Sequence, residues 1–263
     1  MSYYPLPIPY CLYPSFASQV TYRELGADPE SFVIYWWSVN QRWLAAASEE
    51  NIVVANGCVD LIARLDEGVI GFYATAKTTF EDRMPMAARW LGARLKPGAF
   101  YQLTKIPAER VMDGFVPLSA VFKDFQTKAF LRLEPAAQRA AFQKIIHFLS
   151  KDKIPHPLTS LFDRFANHPP ANVSSLLNAY GITHQQAERV FSHWFGLSPA
   201  KILAILRFQR SLESLTIKTT EPKTVNPIAE FYRQQQFHHD FLHHLGITPD
   251  QLLAYYQKKN LQG

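Results

Sequence analysis

The chain predicts an α+β protein, with a β-rich N-terminal half carrying attached helices and an all-α C-terminal region. Three observations predict it. Short runs rich in β-branched and aromatic residues, punctuated by glycine-bearing turns, occupy the early part of the chain. Apolar residues recur at helical spacing from Pro135 onward. Between them lies Lys151-Asp152-Lys153-Ile154-Pro155-His156-Pro157, a polar and proline-bearing stretch of the kind that separates domains. The division that follows is residues 1–150, a linker at 151–165, and a helical domain at 166–263. A length of 263 residues accommodates two medium domains, and the N-terminal one is expected to fold alone.

In chain order, Ser31 to Val39 is the first strand-like run, followed by Ile52 to Val54, Cys58 to Leu65 and Gly68 to Ala74. Asn56-Gly57 and Asp66-Glu67-Gly68 interrupt these runs, and Asn-Gly between two strands predicts a tight hairpin. Helical patches are expected near Met84 to Leu91 and Pro107 to Met112. The result predicted is an antiparallel barrel or sandwich with attached helices. Alternation along the first run sends Tyr35 and Trp37 to one face and Trp36 to the other, with Phe72 and Tyr73 on a second run. Such aromatics either fill a core or line an apolar cavity for a small molecule, which makes Tyr35, Trp37, Phe72 and Tyr73 the candidate ligand contacts.

Pro135 to Ser150 predicts a helix, because Phe142, Ile145, Ile146 and Leu149 fall at i, i+3, i+4 and i+7. Further on, Leu176, Leu177 and Tyr180 share one face of a short helix that Gly181 ends. Thr183 is placed to cap the next helix, in which Ala187, Val190, Phe191 and Trp194 recur toward a core. That leaves His184, Gln185, Glu188, Arg189 and Ser192 outward, all able to hydrogen-bond with base edges or phosphates. Ser198 and Pro199 then supply a cap and first residue for a long helix through Lys201, Arg207 and Arg210.

The stretch GITHQQAERVFSHWFGLSPAKILAILRFQRSL, Gly181 to Leu212, resembles the AraC/XylS family of bacterial transcription regulators. The resemblance rests on Arg189-Val190-Phe191, on Gly196-Leu197-Ser198-Pro199, and on Arg207-Phe208, in that order and spacing. It implies two helix-turn-helix units joined by a linker helix, with double-stranded DNA as partner and Thr183, His184, Gln185, Glu188, Arg189, Lys201 and Arg207 at the DNA interface. The second unit is expected near Asn226 to Pro249, where Gln234, Gln235, His238 and His239 are the DNA-contact candidates. It departs from the family pattern, lacking a turn glycine and being shorter between its helices. ANGCVDLI (Ala55 to Ile62) and RLKPGAF (Arg94 to Phe100) look like the sensing half of one branch of the family, a looser match. The resemblance therefore implies a cytoplasmic, sequence-specific transcription regulator whose N-terminal half answers to a small-molecule effector. The alternative is a regulator without such a ligand, whose N-terminal half serves dimerisation or a protein partner. A homodimer through the helix at Pro135 to Ser150 and contact with RNA polymerase are further implications.

Charge agrees with a polyanion partner at the C-terminal end. From Lys151 onward there are 12 Lys and Arg against 8 Asp and Glu, whereas the first 150 residues hold 15 against 14. No apolar run approaches the roughly 18 residues that span a membrane, and no basic, then apolar, leader opens the chain. Two cysteines, Cys11 and Cys58, suit a reducing compartment better than a disulfide framework. No nucleophile elbow, Walker loop or His-Glu-x-x-His motif is present, so no catalytic residue is expected. His239 and His243 lie one helical turn apart without an identifiable third ligand, and neither metal nor cofactor is expected.

Overall fold

The computed structural model describes residues 3, 20–26, 32–41, 50–53, 55–75, 80–83, 89–112, 114–220, 242 and 248. Among the described residues seven strands come first, β1 (Val20–Gly26), β2 (Val33–Gln41), β3 (Glu50–Val53), β4 (Cys58–Arg64), β5 (Val69–Thr75), β6 (Phe80–Arg83) and β7 (Arg89–Leu95), and an eighth, β8 (Phe115–Pro117), follows the first two helices. Six of them pair antiparallel in the order β1-β2-β7-β4-β5-β8, and β3 pairs with β6 separately. The helices are α1 (Ala99–Thr104), α2 (Glu109–Met112), α3 (Leu118–Val121), α4 (Thr127–Leu131), α5 (Pro135–Ser150), α6 (Leu161–Phe165), α7 (Val173–Asn178), α8 (His184–Phe195) and α9 (Pro199–Thr220), with a 3-10 turn at Pro157–Ser160. The fold is α+β, an antiparallel β-rich half followed by helices.

Register explains the sheet's two faces. Trp36, Ala93, Leu61, Phe72 and Val116 stand opposite one another across five strands, and all are buried. Helices α1, α2, α4 and α5 lay Phe100, Leu103, Val111, Phe130, Phe142, Ile145, Ile146 and Leu149 against that row to form the first core. Phe130 stacks on Phe142 with centroids 4.9 Å apart. Helix α5 begins and ends where periodicity predicted, and its four apolar positions are all buried.

The opposite face carries a different row, Tyr35, Arg94, Asp60 and Tyr73. Arg94 donates to both Asp60 oxygens at 2.9 and 2.8 Å and to the Tyr35 hydroxyl at 2.5 Å. The side chains of Arg94 and Asp60 are only 12% and 4% exposed, so each charge depends on the other for solvation. Burial opposes the Arg94 charge, but Asp60 and Tyr35 overcome it and hold the guanidinium well above its ordinary value.

A second core joins the two halves. Tyr3, Ala55 and Cys58 pack with Leu158, Leu161, Phe162, Leu176, Leu177, Phe191, Phe195 and Leu206. Residues 157–165 of the expected linker are therefore structured, with Leu158, Leu161 and Phe162 buried, while Lys151, Asp152 and Ile154 remain exposed. Residues 1–150 thus close the first core by themselves and contribute Tyr3, Ala55 and Cys58 to a second one shared with the helices.

Two local expectations are corrected. Asn56-Gly57 does not turn a hairpin, since β3 pairs with β6 and β4 pairs with β5 and β7. Gly57 is required instead by close approach: a Cβ there would lie 2.6 Å from the Phe162 ring, and its φ is +72°. The hairpin turn is Asp66-Glu67-Gly68, between β4 and β5. The helical patch expected at Met84 to Leu91 gives way to strand from Arg89, because β7 is sandwiched between β2 and β4 and both ladders claim its backbone.

Candidate nucleic-acid interface

Helix α7 starts at Asn172, whose side-chain oxygen accepts from the Ser175 amide at 2.9 Å, and buries Leu176 and Leu177. Gly181 adopts φ +61° beyond its end, a conformation glycine enters without the Cβ penalty. Two residues later Thr183 caps α8 in a reciprocal arrangement. Its hydroxyl accepts from the Gln186 amide at 3.3 Å, while Gln186 Oε1 accepts from the Thr183 amide at 3.2 Å. Thr183 is thus a structural cap, exposed at the helix entrance.

Along α8, Ala187, Phe191 and Phe195 are buried at intervals of four, a single stripe facing the second core. Val190 and Trp194 are half-buried at its edge. His184, Gln185, Glu188 and Arg189 are all exposed, so the first two turns present a continuous polar surface. His184 Nε2 lies 3.1 Å from the Ser174 hydroxyl, which steadies that ring.

Helix α9 is anchored at its start and again along its first half. Ser198 accepts from the Lys201 amide at 3.2 Å, and Pro199 takes the first helical position. Arg207 donates to the carbonyls of Pro170 and Ala171 at 3.2 and 2.6 Å, bracing α9 against the loop that enters α7. Lys201 is half-buried, and burial pushes its ammonium below the ordinary lysine value. Gln209 reaches back to the Ala55 carbonyl at 2.8 Å. The structure therefore brings Thr183, His184, Gln185, Glu188 and Arg189 together on α8 and sets Lys201 and Arg207 apart on α9. Gln234, Gln235, His238 and His239, with the rest of the expected second unit apart from Leu242 and Thr248, lie outside the described residues.

Sequence spacing gave no sign of what meets the far end of α8. The Ser192 hydroxyl donates to the Glu109 carboxylate of α2, and the Ala108 amide donates to the His193 carbonyl at 2.9 Å. Trp194 stands edge-on to Tyr101 of α1 at 5.0 Å and stacks on His156 at 4.3 Å. Gly196 ends the helix at φ +66°, and a Cβ there would come within 2.3 Å of Met112 and 2.9 Å of the Ala108 carbonyl. These partners lie more than 30 residues away in sequence, so no local pattern announces them.

The expected ligand contacts are placed as follows. Tyr35, Trp37 and Phe72 are buried, Phe72 in the first core and Tyr35 on Arg94. Tyr73 is half-buried between Phe115, 4.6 Å away, and the Arg64 guanidinium, 5.0 Å from its ring; burial pushes its hydroxyl up. A cleft of about 600 Å³ lies elsewhere, where β2 and β7 meet the turn between α4 and α5, lined by Ser38, Asn40, Arg89, Trp90, Leu133 and Gln138 among others. None of the four expected aromatics lines it. Among the described residues, no helix is long and apolar enough to cross a membrane.

Residues 29–117 match a protein family described as Domain of unknown function (DUF6597), a span that takes in the strands from β2 to β8 together with α1 and α2. No curated protein and no solved structure matches the chain.

Proposed function

We propose that the chain is a sequence-specific DNA-binding transcription regulator, with α7 and α8 as a helix-turn-helix and α8 as the helix that enters the major groove. The observation that carries this reading is the exposed polar surface of the first two turns of α8, presented by a helix whose opposite stripe is fully buried. A helix-turn-helix makes its base contacts from near the N-terminal end of the second helix. Arg189 suits guanine, Gln185 adenine and Glu188 the amino group of cytosine. In this reading α9 is the linker helix, Lys201 faces phosphate, and Arg207 positions α7 relative to α9.

The N-terminal half then sets activity, as a sensing unit for a small molecule. A second reading, regulation by dimerisation or by a protein partner, is favoured by the burial of Tyr35, Trp37 and Phe72, which fill space that an interior ligand would need. The test is enrichment of duplexes from a random-sequence pool by the full chain. A defined motif should emerge, and Arg189→Ala should bind it about 1–3 kcal/mol more weakly with its melting temperature unchanged. Failure to enrich any motif overturns the proposal.

A further inference from the structure

Ser192 shares a helix face with Gln185, Glu188 and Arg189, at intervals of three and four along α8. It is the next step along the surface that the regulator reading turns toward DNA. Its hydroxyl is occupied by Glu109, a residue from the N-terminal half 83 positions earlier in the chain. The contact belongs to a built seam. The Ala108 amide bonds the His193 carbonyl, Tyr101 and His156 flank Trp194, and Met112 and Ala108 close against Gly196. A carboxylate on a free surface would swing away from an approaching phosphate. Glu109 is held by its own helix, its neighbour's backbone bond and the Ser192 hydroxyl.

Resting on the regulator reading, we infer that Glu109 is an electrostatic restraint through which the N-terminal half weakens DNA binding for as long as α2 stays docked on α8. DNA presents a dense line of negative phosphates, and affinity for it is governed by the charges brought near them. A fixed negative charge beside the reading face opposes that approach, the more so at low salt, where screening is least. Movement of α2 away from α8 would remove the carboxylate and strengthen binding without any change in the reading residues. The N-terminal half thereby regulates by withdrawal of a charge, and the signal it needs is only a displacement of the Ala108–Met112 segment.

The experiment uses the full chain and the duplex that the wild type enriches most from a random pool, with fluorescence anisotropy at two salt concentrations. Glu109→Gln keeps the shape and a hydrogen-bonding oxygen while removing the charge. It should bind about three- to tenfold more tightly at low salt, with the gain shrinking at higher salt. Glu109→Ala, which also releases Ser192, should gain at least as much; if that variant fails to fold, the glutamine variant decides alone. An affinity for Glu109→Gln within twofold of wild type, or weaker, overturns the restraint while leaving the regulator reading in place. If the wild type enriches no duplex, the regulator reading fails and the restraint falls with it.

Discussion

The two ends of helix α8 are built on opposite principles. At its N-terminal end, His184, Gln185, Glu188 and Arg189 face solvent, with the His184 ring touching the Ser174 hydroxyl of α7. At its C-terminal end, Phe195 is buried, Trp194 is stacked on His156 and edge-on to Tyr101, and Gly196 lies against Ala108 and Met112. One short helix can thus leave its first turns open to solvent and still be held rigidly, which is what the regulator reading proposed above requires of it. Side chains that must meet a partner need to be free of internal partners, yet their backbone must be preorganised. Anchoring one end and capping the other meets both demands.

Breaking the anchored end should have the largest effect. Phe191→Ala empties a fully buried position between α8 and the second core and should destabilise the protein by about 3–5 kcal/mol in chemical denaturation. A loss below about 1 kcal/mol would mean that the buried stripe is not what holds α8, in contrast to the expected silence of Arg189→Ala in the same assay. At the free end, Thr183→Ala removes the hydroxyl half of the reciprocal cap and should cost about 1 kcal/mol. Serine at the same position should restore most of it, which separates the cap from the methyl group. The smallest effect serves as a reference remote from both ends. Asp66 accepts from Arg89 on the β4–β5 turn, and this bond holds its carboxyl below the ordinary value of 3.8. A depressed acid stabilises the fold above its unfolded pKa and loses that contribution as pH falls through its folded pKa. Because the pair is exposed, Asp66→Asn should cost only about 0.2–1 kcal/mol at neutral pH. That difference should disappear in stability curves taken well below pH 3.8, and DNA affinity should not change.

How much of this was legible depended on whether the deciding contact was local. Helix α5 could be bounded to the residue because its period, its proline start and its apolar positions are all written in consecutive sequence. The Thr183 cap and the inward stripe of α8 were legible for the same reason. The Asn56-Gly57 turn was misread because the glycine answers to the Phe162 ring, a neighbour more than 100 positions away. Residues 89–91 were misread as helix because two flanking strands, not their own composition, fix them as β7. Alternation predicted that Tyr35 and Trp37 share a face but not what the Tyr35 hydroxyl meets, the buried Arg94–Asp60 pair that register brings opposite it. The Glu109–Ser192 bond joins two residues with no shared pattern at all, and only the fold makes them neighbours.

The bond from Gln209 to the Ala55 carbonyl spans 154 residues, and it has a consequence during synthesis. Ala55 and Cys58 belong to a core whose other members run from Leu158 to Leu206, apart from Tyr3. A ribosome adding about 5–20 residues each second releases the start of β4 long before those helices emerge. For roughly ten seconds or more the nascent sheet must carry an uncovered apolar patch at this corner. The first turns of α9, which carry Ile202, Ile205, Leu206 and Gln209, are therefore what close this corner of the N-terminal half, and a chain terminated before α9 would leave it open at one side.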